Sequence, residues 1–253
     1  MALMICLWLL SLILRDASIM DIFWGPGFVL VAWLTYFLAN GYPGRKLLVA
    51  ILVSLWGLRL AAHIGMRNIG KGEDRRYGAW REQYGKHFWW ISLFQVFFLQ
   101  GILLWAISLS FQTAQMAPTP GRFLWLDLMG CIIWFIGFLF EVVGDWQLVK
   151  FKSDPNNKGK VMDRGLWAYT RHPNYFGEAL TWWGLYVIAI TEILHFWTVI
   201  SPLVITFLLL KVSGVAMLER DISKRRPAYQ AYIRNTSAFI PWFRKKNTDR
   251  KQS

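Results

Sequence analysis

Charged residues are scarce in this sequence. Asp, Glu, Lys and Arg make up 17% of the 253 residues, whereas hydrophobic residues make up 55%. A soluble domain of this size needs far more polar surface, so the composition excludes an ordinary soluble protein. The chain is predicted to be an integral membrane protein.

Acidic residues are scarcer still, with 15 Asp and Glu against 28 Lys and Arg, a net charge of +13. Such a basic excess indicates an anionic partner, either nucleic acid or anionic lipid. Only the last few residues form a basic stretch free of apolar helices. We therefore expect membrane lipid and no nucleic acid as a partner.

Cysteine is almost absent, and the two that occur, Cys6 and Cys131, lie far apart in apolar runs. This excludes a disulfide framework and gives no sign of a metal site. The start, Met1–Leu14, lacks the basic region and small-residue cleavage site of a signal peptide. It is predicted to be a retained first helix.

Long apolar segments dominate the rest, and a membrane span needs about 20 such residues. Gly/Pro or charged breaks separate seven candidates. They are Ala2–Leu14, Ile22–Ala39, Lys46–Gly65, Phe88–Phe111, Phe123–Val143, Gly177–Leu194 and Phe196–Leu218. The predicted fold is all-α, a polytopic membrane helical bundle of about seven transmembrane helices in one domain, 1–253.

Basic residues alternate in density between successive loops. The loops after helices 3 and 5 and the C-terminal tail are rich in Lys and Arg, whereas the other loops hold only Arg45, Lys46 and Arg122. The positive-inside rule then places the N-terminus outside and the C-terminus in the cytoplasm. The expected location is the inner membrane of a bacterium.

Ionisable residues inside spans are costly and face the bundle interior. Three sets each share one helix face: Arg59, His63 and Arg67; Glu141 and Asp145; Lys211 and Glu219. Helical spacing of four or eight residues places the members of a set together. Either they form ion pairs that lock the bundle, or they line a polar cavity open to the cytoplasm.

The densest polar segment is Gly165–Glu178. Pro173 suits the first turn of helix 6, and Arg171 and His172 precede that helix, where backbone N–H groups attract phosphate. Asn174, Glu178 and Trp182 follow at intervals of four. This face suits a nucleotide, although a helix cap with interfacial aromatic residues has the same pattern.

The run from Phe140 to Tyr186 resembles the C-terminal domain of the steroid 5α-reductase family, in its bacterial branch of largely unassigned function. The resemblance extends over about 16–242, leaving a basic tail at 243–253. The matching residues are Asp145, Gly165-Leu166, Tyr169, Asn174–Glu178 and Trp182, with Asp21–Gly25, Trp56–Leu60 and Gly72–Tyr77 upstream, and Glu219 and Tyr229–Trp242 downstream.

This resemblance implies NADPH held from the cytoplasmic side and hydride transfer to the β-carbon of an enone, with an acid polarising the carbonyl. Basic side chains suit the extra phosphate of NADPH. Carried over by position, the cofactor-binding residues are Arg59, Arg67, Glu141, Asp145, Lys152, Arg171, His172, Asn174, Tyr175, Glu178, Trp182 and Glu219. The expected substrate is lipid-like: a sterol, a polyprenoid or an unsaturated acyl chain.

The acid pair departs from the family pattern. Asp21 stands near the position of the family's carboxylate, but Trp56 occupies that of its tyrosine. Asp21 alone, or another tyrosine such as Tyr36, is therefore predicted to polarise the substrate as the catalytic acid. Asp21 could instead simply cap helix 2, since Asp is a favoured capping residue.

A second family competes with the reductases. Arg171-His172-Pro173-x-Tyr175 also resembles the motif of integral membrane methyltransferases that use S-adenosylmethionine on isoprenylcysteine or phospholipid, and Glu219 could be their C-terminal acidic residue. Asn174, Glu178 and Trp182 favour the reductase. A non-enzymatic lipid-binding bundle is a third interpretation, and it leaves the buried charges without a role.

Overall fold

The computed structural model describes residues 1–68, 70–212, 215, 219 and 228–244, and within them the regular structure is helical. The α-helices are α1 (Ala2–Leu14), α2 (Ile19–Leu38), α3 (Pro43–Asn68), α4 (Arg75–Tyr84), α5 (Phe88–Ser92), α6 (Leu99–Met116), α7 (Trp125–Ser153), α8 (Pro173–Ala189), α9 (Ile200–Phe207) and α10 (Ala228–Asn235). A π-helical stretch, Leu93–Phe98, joins α5 to α6.

Among the described residues, five helical segments are long and apolar enough to cross a membrane. They are Ile19–Leu38, Pro43–Asn68, Arg75–Met116, Trp125–Ser153 and Ile193–Val212. The protein is thus an all-helical integral membrane protein. The count of seven spans remains a prediction, because α1 has 13 residues and α8 has 17, which is short for a full span. The orientation of the termini also remains a prediction.

Several helices are longer than hydropathy predicts. The predicted fifth span ends at Val143, whereas α7 continues to Ser153, so Asp145 is helical, as its pairing with Glu141 predicted, and Lys152 is helical rather than part of the following loop. A hydropathy window stops at the first charged residues, but a helix continues wherever its backbone hydrogen bonds do. Pro173 does begin α8, as predicted, because its missing N–H has no partner to lose there. Residues 213–214 and 216–218 of the seventh predicted span, and 245–253 of the basic tail, lie outside the described residues.

Contacts divide the chain into two compact units. The first contains Met1–Leu124 and Ala189–Ser201, and the second contains Trp125–Ile188 and Pro202–Ser253. In the first unit α2 packs against α3 and α6. Gly25 and Gly57 let the backbones of α2 and α3 touch, and Phe28 lies edge-on to Trp56 beside them, with ring centroids 5.7 Å apart.

The second unit is organised by contact between α7 and α8. Gly130, Gly137 and Gly144 recur every seven residues on α7, so they lie along one side of the helix. Gly130 meets Gly184, and Gly137 meets Gly177, so the two helices run antiparallel with their backbones in contact. Small residues allow the two backbones to come this close. In a lipid bilayer the hydrophobic effect does not hold helices together, so such close packing takes its place.

We expect Gly137→Ala to lower the free energy of unfolding by about 1–3 kcal/mol. A methyl group on Gly137 would lie 2.6 Å from the carbonyl oxygen of Gly177, so the helices must separate. The matched control is Gly78→Ala in α4, where nothing lies within 4 Å and a helical alanine should stabilise slightly. Denaturant unfolding in detergent measures both variants; equal stability of both would contradict the close contact.

Candidate functional site

A polar cluster forms where α2 begins. Asp21 lies in the first turn of α2, whose N-cap is Ser18. The Tyr77 hydroxyl donates to Asp21 Oδ1 at 2.6 Å, and Arg76 Nη2 donates to Asp21 Oδ2 at 2.6 Å. Both carboxylate oxygens of Asp21 therefore accept hydrogen bonds from side chains of α4. The N-cap of α2 is Ser18 and not Asp21, which was considered for that role. We name Asp21, Arg76 and Tyr77 the Asp21 cluster.

The start of α4 positions Arg76 and Tyr77. Asp74 is the N-cap of α4 and accepts from the Arg76 backbone N–H at 2.9 Å and from Arg76 Nε at 3.0 Å. Tyr77, 4% exposed, is the third residue of α4 and is consequently held in its first turn. Gln100 Nε2 donates to the Tyr77 oxygen at 3.4 Å, so the phenol is both donor and acceptor.

A second ion pair ties this loop to the junction between α1 and α2. Glu73 accepts from Arg81 through both oxygens at 2.8 Å, and from the Ala17 backbone N–H at 2.8 Å. Burial alone would raise the pKa of Glu73, but the hydrogen bonds from Arg81 and Ala17 outweigh it and lower that pKa. The charged form of Glu73 therefore holds the two segments together around the Asp21 cluster.

In the second unit, the contact between α7 and α8 brings polar side chains together. Asn174 Nδ2 donates to Asp145 Oδ1 at 3.0 Å, beside Gly144, which packs against the first residues of α8. Glu141 and Asp145 are one turn apart on α7 and both are buried, whereas Glu178, one turn beyond Asn174, is half-buried. We name Glu141, Asp145, Asn174 and Glu178 the α7–α8 polar face.

Arg171 forms a different arrangement just before α8. Its Nε and Nη2 donate to the two oxygens of Glu219 at 2.7 and 3.1 Å, and Nη1 donates to the carbonyl oxygens of Ile233, at 2.9 Å, and Thr236. His172 Nε2 lies 3.0 Å from Glu219 Oε1. Arg171 is 7% exposed, so its guanidinium is committed to protein groups.

This Arg171–Glu219 clasp holds the C-terminal segment against the loop that precedes α8. The Arg171 backbone N–H donates to Ser237 O at 2.9 Å, and the Trp242 N–H donates to Tyr169 O at 2.9 Å. Partial burial would raise the pKa of Glu219, but hydrogen bonds from His172 and Arg171 outweigh it and lower that pKa. The clasp therefore carries an ionised Glu219.

Comparison with known proteins gives the family. The model of a family described as "Protein of unknown function (DUF1295)" matches residues 7–236. The chain belongs to the DUF1295 family. An uncharacterized protein of Schizosaccharomyces pombe is 24% identical over 267 residues, covering 93% of this chain and 75% of the yeast protein.

A functional clue comes from a shorter match. The steroid 5-alpha-reductase DET2 of Arabidopsis thaliana is 36% identical over 63 residues, which is 24% of each protein. The DUF1295 family is associated with steroid 5-alpha-reductase-like proteins, in line with the predicted resemblance. No solved structure matches the chain significantly.

The structure separates the two predicted catalytic residues of this DUF1295 protein. Asp21 and Tyr36 lie 15 residues apart on the single helix α2, hence about 22 Å apart along its axis. Tyr36 packs instead on Trp33 and lies under the Lys46 ammonium group, which is 5.2 Å from its ring centroid. Tyr36 cannot act on the same substrate atom as Asp21.

The predicted cofactor residues fall into three groups. The α7–α8 polar face contains Glu141, Asp145, Asn174 and Glu178, of which Asn174 hydrogen-bonds Asp145, and Lys152 is exposed near the end of α7. The clasp contains Arg171, His172 and Glu219, and Tyr175 stacks on His172. The third group, Arg59 and Arg67, lies on α3 in the first unit. Trp182 is fully buried. The binding roles of all these residues remain predictions.

Sequence reasoning missed Arg76 and Tyr77 as site residues. Both stand in the run Gly72–Tyr77, which supported the family resemblance without a role being assigned to it. The available signal was an arginine and a tyrosine two and three residues after Asp74, a residue type that favours helix N-caps and is the N-cap of α4 in the structure. Their partner, Asp21, lies 55 and 56 residues earlier, so no local pattern joins them.

Proposed function

We propose that this DUF1295 protein is a membrane reductase that uses NADPH to reduce an enone-like carbon–carbon double bond in a lipid, such as a sterol-like or polyprenoid molecule. The short similarity to a plant steroid 5-alpha-reductase supports an oxidoreductase. The apolar helices that are long enough to cross a membrane support a substrate that arrives through the bilayer. We propose the inner membrane of a bacterium as its location.

The chemistry of the α7–α8 polar face fits a nicotinamide nucleotide. Carboxylates such as Asp145 accept hydrogen bonds from ribose hydroxyls, and amides such as Asn174 pair with a carboxamide. Lys152 follows Asp145 by two turns of α7 and supplies a positive charge for phosphate. When bound, NADPH would supply the hydride. The guanidinium of Arg171 already pairs with Glu219, so Arg171 would position the start of α8 rather than contact phosphate.

The hydrogen bond between Tyr77 and Asp21 is the observation that carries the reductase proposal. Reduction of an enone places negative charge on the carbonyl oxygen, which a nearby hydroxyl can protonate. We assign that proton to the Tyr77 hydroxyl, which donates to Asp21 Oδ1 here and would turn from Asp21 to the substrate oxygen as the charge develops. Arg76 lies 5.4 Å from the centroid of the Tyr77 ring and would stabilise the phenolate left behind.

A methyltransferase is the second candidate, and the charge of the α7–α8 polar face favours it. Three of its four members, Glu141, Asp145 and Glu178, are acidic, while the neighbouring Arg171 is neutralised by Glu219. An acidic surface suits the cationic S-adenosylmethionine better than a phosphorylated nucleotide. This candidate gives the Asp21 cluster no role, and we rank it second.

Binding measurements separate the two candidates. We expect the detergent-solubilised protein to bind NADPH, and Asn174→Ala and Glu178→Gln each to weaken that binding by about tenfold to a hundredfold, since each removes a hydrogen bond in a partly buried site. Glu82→Gln is the matched control, because it makes the same change on an exposed residue of α4. Saturable binding of S-adenosylmethionine without NADPH binding would replace the reductase by the methyltransferase.

A further inference from the structure

A cleft of about 460 Å³ lies in the second unit, at the C-terminal end of α7. Two cationic side chains, Lys150 and Arg164, line it together with Trp146, Phe151 and Met162. The Lys150 ammonium lies 5.2 Å from the centroid of the Trp146 ring. The cleft thus combines two positive charges with an apolar aromatic wall.

Asp154 lines the cleft and Asp163 directly precedes Arg164, and both carboxylates have partners other than Lys150 and Arg164. Asp154 accepts hydrogen bonds from the Asn156 N–H at 2.9 Å and caps a short 3₁₀ helix, and Asp163 pairs with Arg244 at 3.0 Å. In the part of the chain that the structure describes, neither Lys150 nor Arg164 forms an ion pair. Their charges are available to an anion in the cleft.

Trp146 and Lys150, which form one wall of the cleft, lie on the side of α7 that faces away from α8. Gly144 packs on α8, and Trp146, two residues later, is turned by about 200° around the helix. A stripe of exposed apolar side chains runs along α7 and reaches the cleft at Trp146; its members are Leu128, Ile132, Phe135, Leu139 and Trp146. This face of a membrane-spanning helix contacts acyl chains.

We propose that the cleft binds the phosphate group of an anionic phospholipid, whose acyl chains lie along the α7 stripe. Lysine side chains reach from an apolar helix end to lipid phosphate, and tryptophan prefers the same depth at the membrane interface. Basic pockets beside membrane helices bind anionic head groups in this way. Trp146 and Lys150 lie on the opposite face of α7 from Gly144 and its α8 neighbours, and neither residue is assigned to the cofactor, so the proposal is independent of the cofactor assignment.

The test is native mass spectrometry of the full chain titrated with phosphatidylglycerol or phosphatidylcholine. We expect preferential retention of phosphatidylglycerol, and the double variant Lys150→Gln/Arg164→Gln should weaken it by about tenfold to a hundredfold. The variant Lys150→Arg/Arg164→Lys keeps both charges and should keep the preference. The control Lys71→Gln/Lys86→Gln removes two exposed lysines of the first unit and should leave binding unchanged.

Three results would overturn the proposal. Equal loss in the control variant would mean that net charge alone attracts the lipid. Equal retention of both lipids would remove head-group recognition. Displacement of phosphatidylglycerol by adenosine 2′,5′-bisphosphate, used as a soluble probe, would make the cleft a nucleotide site instead.

Discussion

Tyr77→Phe should lower turnover by about 10²–10⁴-fold, the range expected when a general acid is removed. The variant lacks only the hydroxyl that donates to Asp21 at 2.6 Å, so the ring still fills its buried position. NADPH affinity should not change, because Tyr77 is not among the residues assigned to the nucleotide on the α7–α8 polar face. The measurement is NADPH oxidation with a panel of enone lipids, together with a separate binding titration.

Two companion variants define the role of the Asp21 cluster. Tyr84→Phe makes the same change on the same helix, α4, outside the cluster, and should keep full activity. Asp21→Asn should reduce turnover as Tyr77→Phe does, because an amide cannot hold the Arg76 charge and orient the phenol equally well. Wild-type turnover in both Tyr77→Phe and Asp21→Asn would remove the cluster from the mechanism.

Arg171→Gln should lower the free energy of unfolding by about 3–5 kcal/mol, the loss expected when one partner of a buried ion pair is removed. The side chains of Arg171 and Glu219 are 8% and 18% exposed, so the variant leaves a poorly solvated carboxylate. It also frees the carbonyl oxygens of Ile233 and Thr236. Denaturant unfolding in detergent measures the loss, and limited proteolysis should show earlier cleavage after residue 228.

The chain provides a matched control in its exposed ion pair. Arg244 pairs with Asp163 at 3.0 Å, but the two side chains are 43% and 38% exposed. Arg244→Gln should therefore change stability by less than about 1 kcal/mol. Losses of similar size in Arg171→Gln and Arg244→Gln would show that the clasp contributes no more than a surface contact.

Acid should weaken the same clasp. Since the folded state lowers the pKa of Glu219 below its ordinary value of 4.5, the folded chain binds this proton less readily than the unfolded chain does. The stabilisation is therefore complete above about pH 4.5 and is lost as pH falls through the lower folded pKa. Glu219→Gln should abolish this part of the acid sensitivity, and a stability profile between pH 3 and 7 measures it.

Local patterns in the sequence determined the all-helical membrane character of this protein and part of its candidate site. Apolar runs predict membrane spans, because a helix needs about 20 such residues to cross a bilayer. Pro173 predicts the start of α8, because the backbone N–H groups of a first turn have no partner within the helix and proline has no N–H to leave unpaired. A spacing of four residues put Glu141 with Asp145, and Asn174 with Glu178, on single helix faces. These signals extend over a few helical turns at most.

Only the tertiary structure decided which side chains are partners. Asp21 was predicted as an acid but was grouped with Tyr36, which lies at the other end of its own helix, whereas its hydroxyl partner is Tyr77. Arg171 was predicted to bind phosphate, yet its guanidinium pairs with Glu219, 48 residues later. Such pairs depend on how the helices pack against one another. Contacts between glycines, Gly25 with Gly57 and Gly137 with Gly177, allow this close packing. Neither hydropathy nor the helical period predicts which glycines meet.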